Sequence, residues 1–189
     1  MHNTGSMSSD QPSSVKQSLI VLSEKIVDLS DKMDAAEADN DDRLLHQAMK
    51  ELRSIGDQLV DYQERTSGDD QAFSRFMMGS VCSLLGFWSQ AESSYRTALQ
   101  YWPDHVGLLN ELFDALVAQR KYHEAELAIR KSISYGGETP LILRNLAAVL
   151  VHQKKLNEAR VVMFNCIAKF PDDAESRAFL EKLDATARH

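Results

Sequence analysis

The 189-residue sequence predicts an all-α protein built as a helical solenoid, because one pattern of residues repeats with a fixed period of 34. Ala91, Ala125 and Ala159 stand 34 residues apart, and apolar or small residues on either side of them repeat at the same spacing. Within each unit, apolar residues recur every three or four positions through two successive stretches, which is the period of an α-helix. A proline or a glycine pair ends each unit, as expected where a helix stops.

The repeat divides the C-terminal part of the chain into three units without insertion or deletion, at 72–105, 106–139 and 140–173. A single helix pair cannot bury its apolar face alone, so the units are expected to stack around a shared core. The segment 174–188 carries Leu180 and Leu183 among several charged residues, which predicts a capping helix over the last unit. We take 72–188 as one repeat domain.

The first part of the chain follows a different pattern. Residues 1–14 are polar and rich in Ser, which predicts a disordered tail. Residues 15–66 contain two runs of apolar residues with alternating spacings of three and four, the heptad spacing of a helix–helix seam. This predicts a helical hairpin or coiled-coil segment and leaves two alternatives open, a hairpin packed on the repeats or a seam between two copies of the chain. The residues of the first run that would form a dimer seam are Leu19, Leu22, Ile26, Leu29 and Met33.

The repeated residues resemble the tetratricopeptide repeat family. The first unit matches its pattern with Met78-Gly79, Cys82, Gly86-Phe87-Trp88, Ala91, Tyr95, Ala98 and Pro103, and the next two units follow in the same register. The resemblance implies a right-handed solenoid of three helix pairs. Phe113 departs from the pattern because it stands where a small residue is usual, so we expect the second helix pair to be more widely spaced.

The resemblance also implies a location for a binding site, because the first helix of each unit lines a concave groove in this family. Carried over by position, the lining residues are Phe73, Phe76, Ser80, Ser83 and Leu84, then Gly107, Asn110, Asp114, Val117 and Ala118, then Leu141, Arg144, Ala148, Val151 and His152. The set is mostly apolar, with Asn110, Asp114 and Arg144 as polar contacts. Such a groove suits a peptide or an amphipathic helix of a partner protein, unless the N-terminal helices cover Phe73 and Phe76 themselves.

Several partner classes are disfavoured. Some family members hold the acidic tails of heat-shock chaperones with basic and amide side chains, but the equivalent positions here are Phe76, Ser80, Glu111, Leu141 and Asn145. The cationic clamp is absent, and Glu111 would repel a carboxylate. The net charge of −7 argues against nucleic acid as a partner, and no apolar run is long enough for membrane insertion.

The sequence also lacks the signs of catalysis. The six His residues have no metal-ligand spacing, and neither a phosphate-binding loop nor a nucleophile elbow is present. We therefore expect no enzyme activity, no cofactor and no metal. Cys82 and Cys166 fall at interior helix positions and are expected to be free thiols. Free thiols without an export signal favour the cytoplasm.

The residues therefore predict a non-catalytic interaction module, acting as an adaptor or scaffold in a larger assembly. One alternative remains. The plan of an N-terminal helical segment, three repeats and a capping helix is similar to that of bacterial type III secretion translocator chaperones. That resemblance implies a cytoplasmic chaperone, able to dimerise, that holds an apolar segment of a client protein.

Overall fold

The computed structural model describes residues 14–186, and within this range the chain forms α-helices and no strand. The helices are α1 (Ser14–Asp39), α2 (Asp42–Arg65), α3 (Gly68–Leu84), α4 (Trp88–Ala98), α5 (Val106–Ala118), α6 (Tyr122–Gly136), α7 (Pro140–His152), α8 (Leu156–Lys169) and α9 (Ala174–Thr186). Each helix packs on the next in chain order, which confirms the all-α solenoid. None of these helices is long and apolar enough to cross a membrane.

The structure differs from the predicted bounds at both ends. The predicted tail up to residue 13 and the last residues of the predicted capping segment, 187–188, lie outside the described residues. Ser14, assigned to the tail, is the first residue of α1. Helix α3 begins at Gly68, four residues before the predicted start of the first unit, because Ser67 in extended conformation precedes it and Asp69 and Asp70 favour a helix N-terminus.

The turns inside the three units share one backbone conformation. Gly86, Arg120 and Lys154 stand 34 residues apart and have φ angles of 77°, 59° and 63°. In each turn the following amide donates a hydrogen bond to the carbonyl five positions back, at 2.7–2.9 Å, and this closes the preceding helix. This left-handed conformation costs roughly 1–2 kcal/mol for Arg120 and Lys154, so the packing of the helix pairs must offset it.

Polar caps define several helix starts. Asp41 Oδ1 accepts hydrogen bonds from two amides of the first turn of α2, at 3.0 and 3.1 Å. His105 Nδ1 accepts one from the amide of Leu108 at 3.0 Å and caps α5. Thr139 Oγ1 caps α7, whose first residue is Pro140, a residue suited to that position because no helix partner is needed for its nitrogen. These local bonds set the points at which the chain reverses.

Side chains of different size stand at equivalent positions of the two helices in each unit. The pairs at equivalent positions are Gly79 and Tyr95, Phe113 and Ile129, and Ala147 and Met163. All six are buried. A Cβ atom on Gly79 would overlap Tyr95 Cε1, so the Tyr95 ring requires the glycine. At the equivalent positions of the second unit stand Phe113 and Ile129, and the wider spacing of this helix pair stays a prediction.

The N-terminal hairpin stacks on the first unit and extends the solenoid. The predicted seam residues Leu19, Leu22, Ile26, Leu29 and Met33 form a core with α2 and with the α3 face that carries Met77 and Val81. They are 8% exposed or less within the single chain. A second copy would reach these side chains only if the hairpin opened, and the dimer seam stays a prediction. The structure thus favours the intramolecular hairpin.

Candidate functional site

A groove lies between the hairpin and the repeats, and we call it the α1–α3 groove. It is lined by Ser23, Ile26, Val27, Ser30 and Asp31 of α1, by Phe76, Met77, Ser80, Ser83 and Leu84 of α3, and by Glu111 of α5. Its volume is about 420 Å³. Predicted site residues of the first unit, among them Phe76, Ser80 and Leu84, are therefore brought together with a wall that belongs to the N-terminal hairpin.

Helix α1 carries apolar residues on two faces, and this is what builds the groove. Its heptad face, including Ile26, is buried against α2 and α3. Val27 lies next to that face and points into the groove with 61% of its surface exposed. Phe76 and Leu84 are half-buried opposite it. The hairpin therefore covers the predicted apolar face only in part, and an apolar strip stays open.

An aromatic pocket adjoins the groove and shares Phe76 with it. Phe73, Phe76, Trp102, Asp104 and His105 line this pocket, which has a volume of about 400 Å³. The His105 ring lies 6.2 Å from the Phe76 ring and 5.8 Å from the Trp102 ring, between centroids. Trp102 Nε1 is fixed by donating a hydrogen bond to an aspartate of α3 at 3.0 Å. The connection between α4 and α5 thus supplies rigid aromatic surface at one end of the groove.

The other end of the groove is acidic. Tyr95 Oη donates a hydrogen bond to Glu111 Oε2 at 3.1 Å and lies 3.2 Å from Ser83 Oγ. Burial, followed by the charge of Glu111, raises the pKa of Tyr95, so the phenol stays protonated. One turn further on α5, burial and then the charge of Glu111 raise the pKa of Asp114 to about 6.

Solved structures of low sequence identity share this arrangement of helices. The first TPR of Spaghetti (RPAP3) bound to the HSP90 peptide SRMEEVD is 16% identical, covers 65% of this chain and 100% of its own, with a TM-score of 0.55. TTC0263, a thermophilic TPR protein of Thermus thermophilus, is 17% identical over 88% of this chain and 94% of its own, with a TM-score of 0.54. A tetratricopeptide repeat protein from Parabacteroides merdae ATCC 43184 is 17% identical, with a TM-score of 0.59. The match covers 88% of this chain and 72% of the Parabacteroides chain. This chain has the tetratricopeptide-repeat fold.

The similarity is one of structure. Neither a protein-family model nor a curated protein matches the sequence. At 16–17% identity, what the neighbours share with this chain is the fold of the tetratricopeptide units. The site must therefore be described from this chain's own residues.

The predicted site residues of the second and third tetratricopeptide units do not all remain free. Asn110 Oδ1 accepts a hydrogen bond from Ser132 Oγ at 2.6 Å. The Arg144 guanidinium is only 16% exposed and pairs with Asp173 and Glu175 at the start of α9, at 2.6 Å each. Arg144 is thus engaged within the chain, and its role as a polar contact of the groove stays a prediction.

The remaining predicted residues of these units lie outside the α1–α3 groove. The His152 ring stacks on the Tyr122 ring with a centroid distance of 4.4 Å. Val117 and Val151 pack against the main core, and Ala148 is half-buried. Leu141 is 59% exposed, and Asp114 is also exposed. Gly107 and Ala118 are exposed at the two ends of α5.

Sequence reasoning missed the α1 wall and the aromatic pocket. Val27 could have been noticed, because Ile20, Val21 and Val27 are apolar residues outside the heptad positions. Trp102 stands in a connection between units, outside the positions that the repeat pattern specifies. The sequence positions of Val27 and Trp102 do not indicate which helix each side chain would face.

A second cleft lies between α4, α5 and α6 and has a volume of about 360 Å³. Its lining includes Leu99 and Leu127, and two of its charged side chains, Arg96 and Glu124, pair with each other. No predicted site residue lines it. The α1–α3 groove is the stronger candidate, because its lining contains both predicted site residues and acidic side chains that form no ion pair within the described residues.

Proposed function

We propose that this chain is a non-catalytic protein–protein interaction module that binds a peptide or an amphipathic helix of a partner protein in the α1–α3 groove. The observation that carries the proposal is the open apolar strip formed by Val27, Phe76 and Leu84. Exposed apolar surface in a groove is typical of binding sites, because covering it with an apolar partner removes it from water. In this role the chain serves as an adaptor or scaffold of a larger assembly.

The ligand differs from that of the structural neighbour that was solved with a peptide. That neighbour is bound to an HSP90 peptide with the sequence SRMEEVD. In this chain the acidic Glu111 lies in the groove, and Phe76 and Ser80 occupy positions where a clamp for carboxylates would need basic or amide side chains. We therefore propose that acidic tails of heat-shock chaperones are not the ligand.

A second candidate is a cytoplasmic secretion chaperone that holds an apolar segment of its client. The position of α1 supports this second candidate, because one wall of the groove belongs to the hairpin and the other to the repeats. A client segment would then lie between the two parts of the chain. In this version the partner is an unfolded client, and the cytoplasmic location remains a prediction from the free cysteines.

The test is a selection of peptides from a displayed library against the whole chain, followed by calorimetry with variants. Val27→Glu places a charge in the groove at an exposed position, so the fold should be kept. Val60→Glu is the matched control, because Val60 is 49% exposed on α2 and does not line the groove. We expect the selected peptides to bind Val27→Glu at least about tenfold more weakly, a loss of about 1.4 kcal/mol, and to bind Val60→Glu unchanged.

Equal affinity of the selected peptides for wild type and for Val27→Glu would show that the α1–α3 groove is not the binding site. Circular dichroism of both variants would show that helicity is kept. A selection dominated by unstructured apolar peptides would favour the chaperone, whereas one defined motif would favour the adaptor.

A further inference from the structure

The charges around the α1–α3 groove are all of one sign. Asp31 and Glu111 are its charged lining residues, and the adjoining aromatic pocket adds Asp104. Among the residues that the structure describes, no Lys or Arg lines either of them. Within residues 14–186, none of these three carboxylates forms an ion pair.

Three cations of the repeats are engaged with other acids. Arg96 binds Glu92 and Glu124, and Lys121 binds Glu92 at 2.7 Å. Arg144 is held by acids near α9. Since Asp31, Asp104 and Glu111 form no ion pair within the described residues, a cationic group of a ligand would complement the negative charge of the groove.

The acids stand at both ends of the apolar strip. Glu111 is joined through Tyr95 to Ser83, close to Leu84 at the end of α3. Asp104 lies in the pocket with Phe73 and Phe76, nearer the start of α3. Phe76 and Ser83 are seven residues apart, which corresponds to about 10 Å, or two helical turns. The positions of α3 nearest to the two groups of acids are thus about two turns apart.

From this arrangement we infer that the occupant of the groove is a basic amphipathic helix of a partner protein. Its apolar face covers Val27, Phe76 and Leu84, and its Lys or Arg side chains, about two turns apart, meet Glu111 and Asp31 at one end and Asp104 at the other. A cation at the Asp104 end also lies beside the Trp102 ring, where it gains a cation–π contact. The inference rests on the proposed function and adds the charge and the shape of the ligand.

The groove geometry supports a helix as the occupant. The chain reverses between α1 and α2 and again between α2 and α3, so α1 and α3 run in the same direction. Two such helices leave a trough into which the side-chain ridge of a third helix fits. Asp114 adds a further acid one turn beyond Glu111, and burial and then the charge of Glu111 raise its pKa.

The test uses three synthetic helical peptides with the same apolar face and with Lys, Gln or Glu on the polar face. Binding to the whole chain is measured by fluorescence anisotropy at low and at physiological salt. We expect the Lys peptide to bind at least about tenfold more tightly than the Glu peptide, with a difference that shrinks as salt rises.

Two charge-reversed chains complete the test. In Asp31→Lys with Asp104→Lys, both changed residues are exposed, so the fold should be kept. Asp57→Lys with Glu64→Lys is the matched control with the same net charge, on the exposed face of α2. We expect the first double variant to lose about tenfold in affinity for the Lys peptide and the second to change little.

The outcomes separate the inference from the proposed function. Equal binding of the three peptides, each weakened by Val27→Glu, would overturn the inferred charge and leave the groove as the site. A preference for the Glu peptide would also overturn the inferred charge and leave the groove as the site. So would equal losses of affinity for the Lys peptide in the two double variants. Binding of none of the peptides, or binding that Val27→Glu does not change, would overturn the groove and the inference together.

Discussion

Lys155, at the turn before α8, donates a hydrogen bond to Glu126 of α6 at 2.8 Å, and the Glu126 side chain is only 9% exposed. Gln153 and Arg130 donate to the same carboxylate, at 2.9 and 2.8 Å. The same arrangement occurs 34 residues earlier with Glu92, Gln119, Lys121 and Arg96. These two polar clamps tie the second helix of one unit to the turn of the next.

The second clamp predicts a stability that depends on pH. Burial alone would raise the pKa of Glu126, but the hydrogen bonds from Lys155, Arg130 and Gln153 outweigh it and lower the pKa to about 2. The stabilisation is therefore complete above the ordinary carboxyl pKa and is lost as the pH falls towards 2. We expect Glu126→Gln to lower the free energy of unfolding by about 2 kcal/mol at neutral pH, and by much less near pH 3. Urea denaturation at both pH values checks this.

The control for the clamp is Glu138→Gln. Glu138 pairs with Lys169 at 3.0 Å, but both side chains are exposed, so we expect a loss below about 0.5 kcal/mol. A loss for Glu126→Gln that is the same at both pH values would contradict the pKa argument.

Gly79 is required by Tyr95, and we expect Gly79→Ala to destabilise the chain by about 1–3 kcal/mol, because the new methyl group would overlap a buried ring. Gly56→Ala is the matched control. A Cβ at Gly56 of α2 would lie 3.6 Å from the nearest atom of Val81, an ordinary contact, so the better helix propensity of Ala should stabilise by roughly 0.5–1 kcal/mol. Thermal unfolding of both variants measures the difference. Equal melting temperatures would show that the first helix pair can separate at little cost.

Asp114 predicts a pH dependence of the opposite sign. Its pKa is raised on folding from 3.8 to about 6 by burial and by Glu111, whose carboxylate also faces Tyr95 of α4. The ionised form therefore opposes folding above pH 6, and this penalty disappears as the pH falls towards 4. We expect Asp114→Asn to stabilise the chain at pH 8 by less than about 1 kcal/mol, since the side chain is partly screened by solvent, and not at pH 4. An NMR titration of Asp114 that gives an ordinary pKa would contradict this.

Arg144 predicts how firmly α9 is attached. Its guanidinium joins α7 to the first turn of α9 through Asp173 and Glu175. We expect Arg144→Met to accelerate amide hydrogen exchange in α9 by about tenfold while α1 is unchanged. Arg177→Met, at an exposed position of α9 itself, is the control and should leave exchange unaltered. Unchanged exchange in α9 of Arg144→Met would mean that apolar packing through Leu183 holds the helix alone.

The period of 34 was sufficient to predict the solenoid, because each unit packs mainly on its neighbours and each helix pair is specified by residues close in sequence. Ala91, Ala125 and Ala159, read from the sequence alone, are all fully buried. The polar clamps repeat with the same period, as Glu92 and Glu126 show, but apolar periodicity does not reveal them. Which donors meet a carboxylate depends on how neighbouring units stack.

The site was predicted only in part. Phe76 and Leu84 could be assigned to the lining from their positions in the repeat. The ion pairs of Arg144 could not be predicted, because its acidic partners come from a different part of the chain, at the start of α9.

The sequence by itself determined the helices, their order and the small residues at which they touch, since these follow from spacings within one turn or one unit. Only the tertiary structure decided that α1 forms one wall of the groove with Val27, and that Arg144 forms ion pairs at the start of α9. It also decided that carboxylates without ion pairs among the described residues flank the open strip. Those features depend on the angle at which separate elements pack, and that angle results from all of their side chains together.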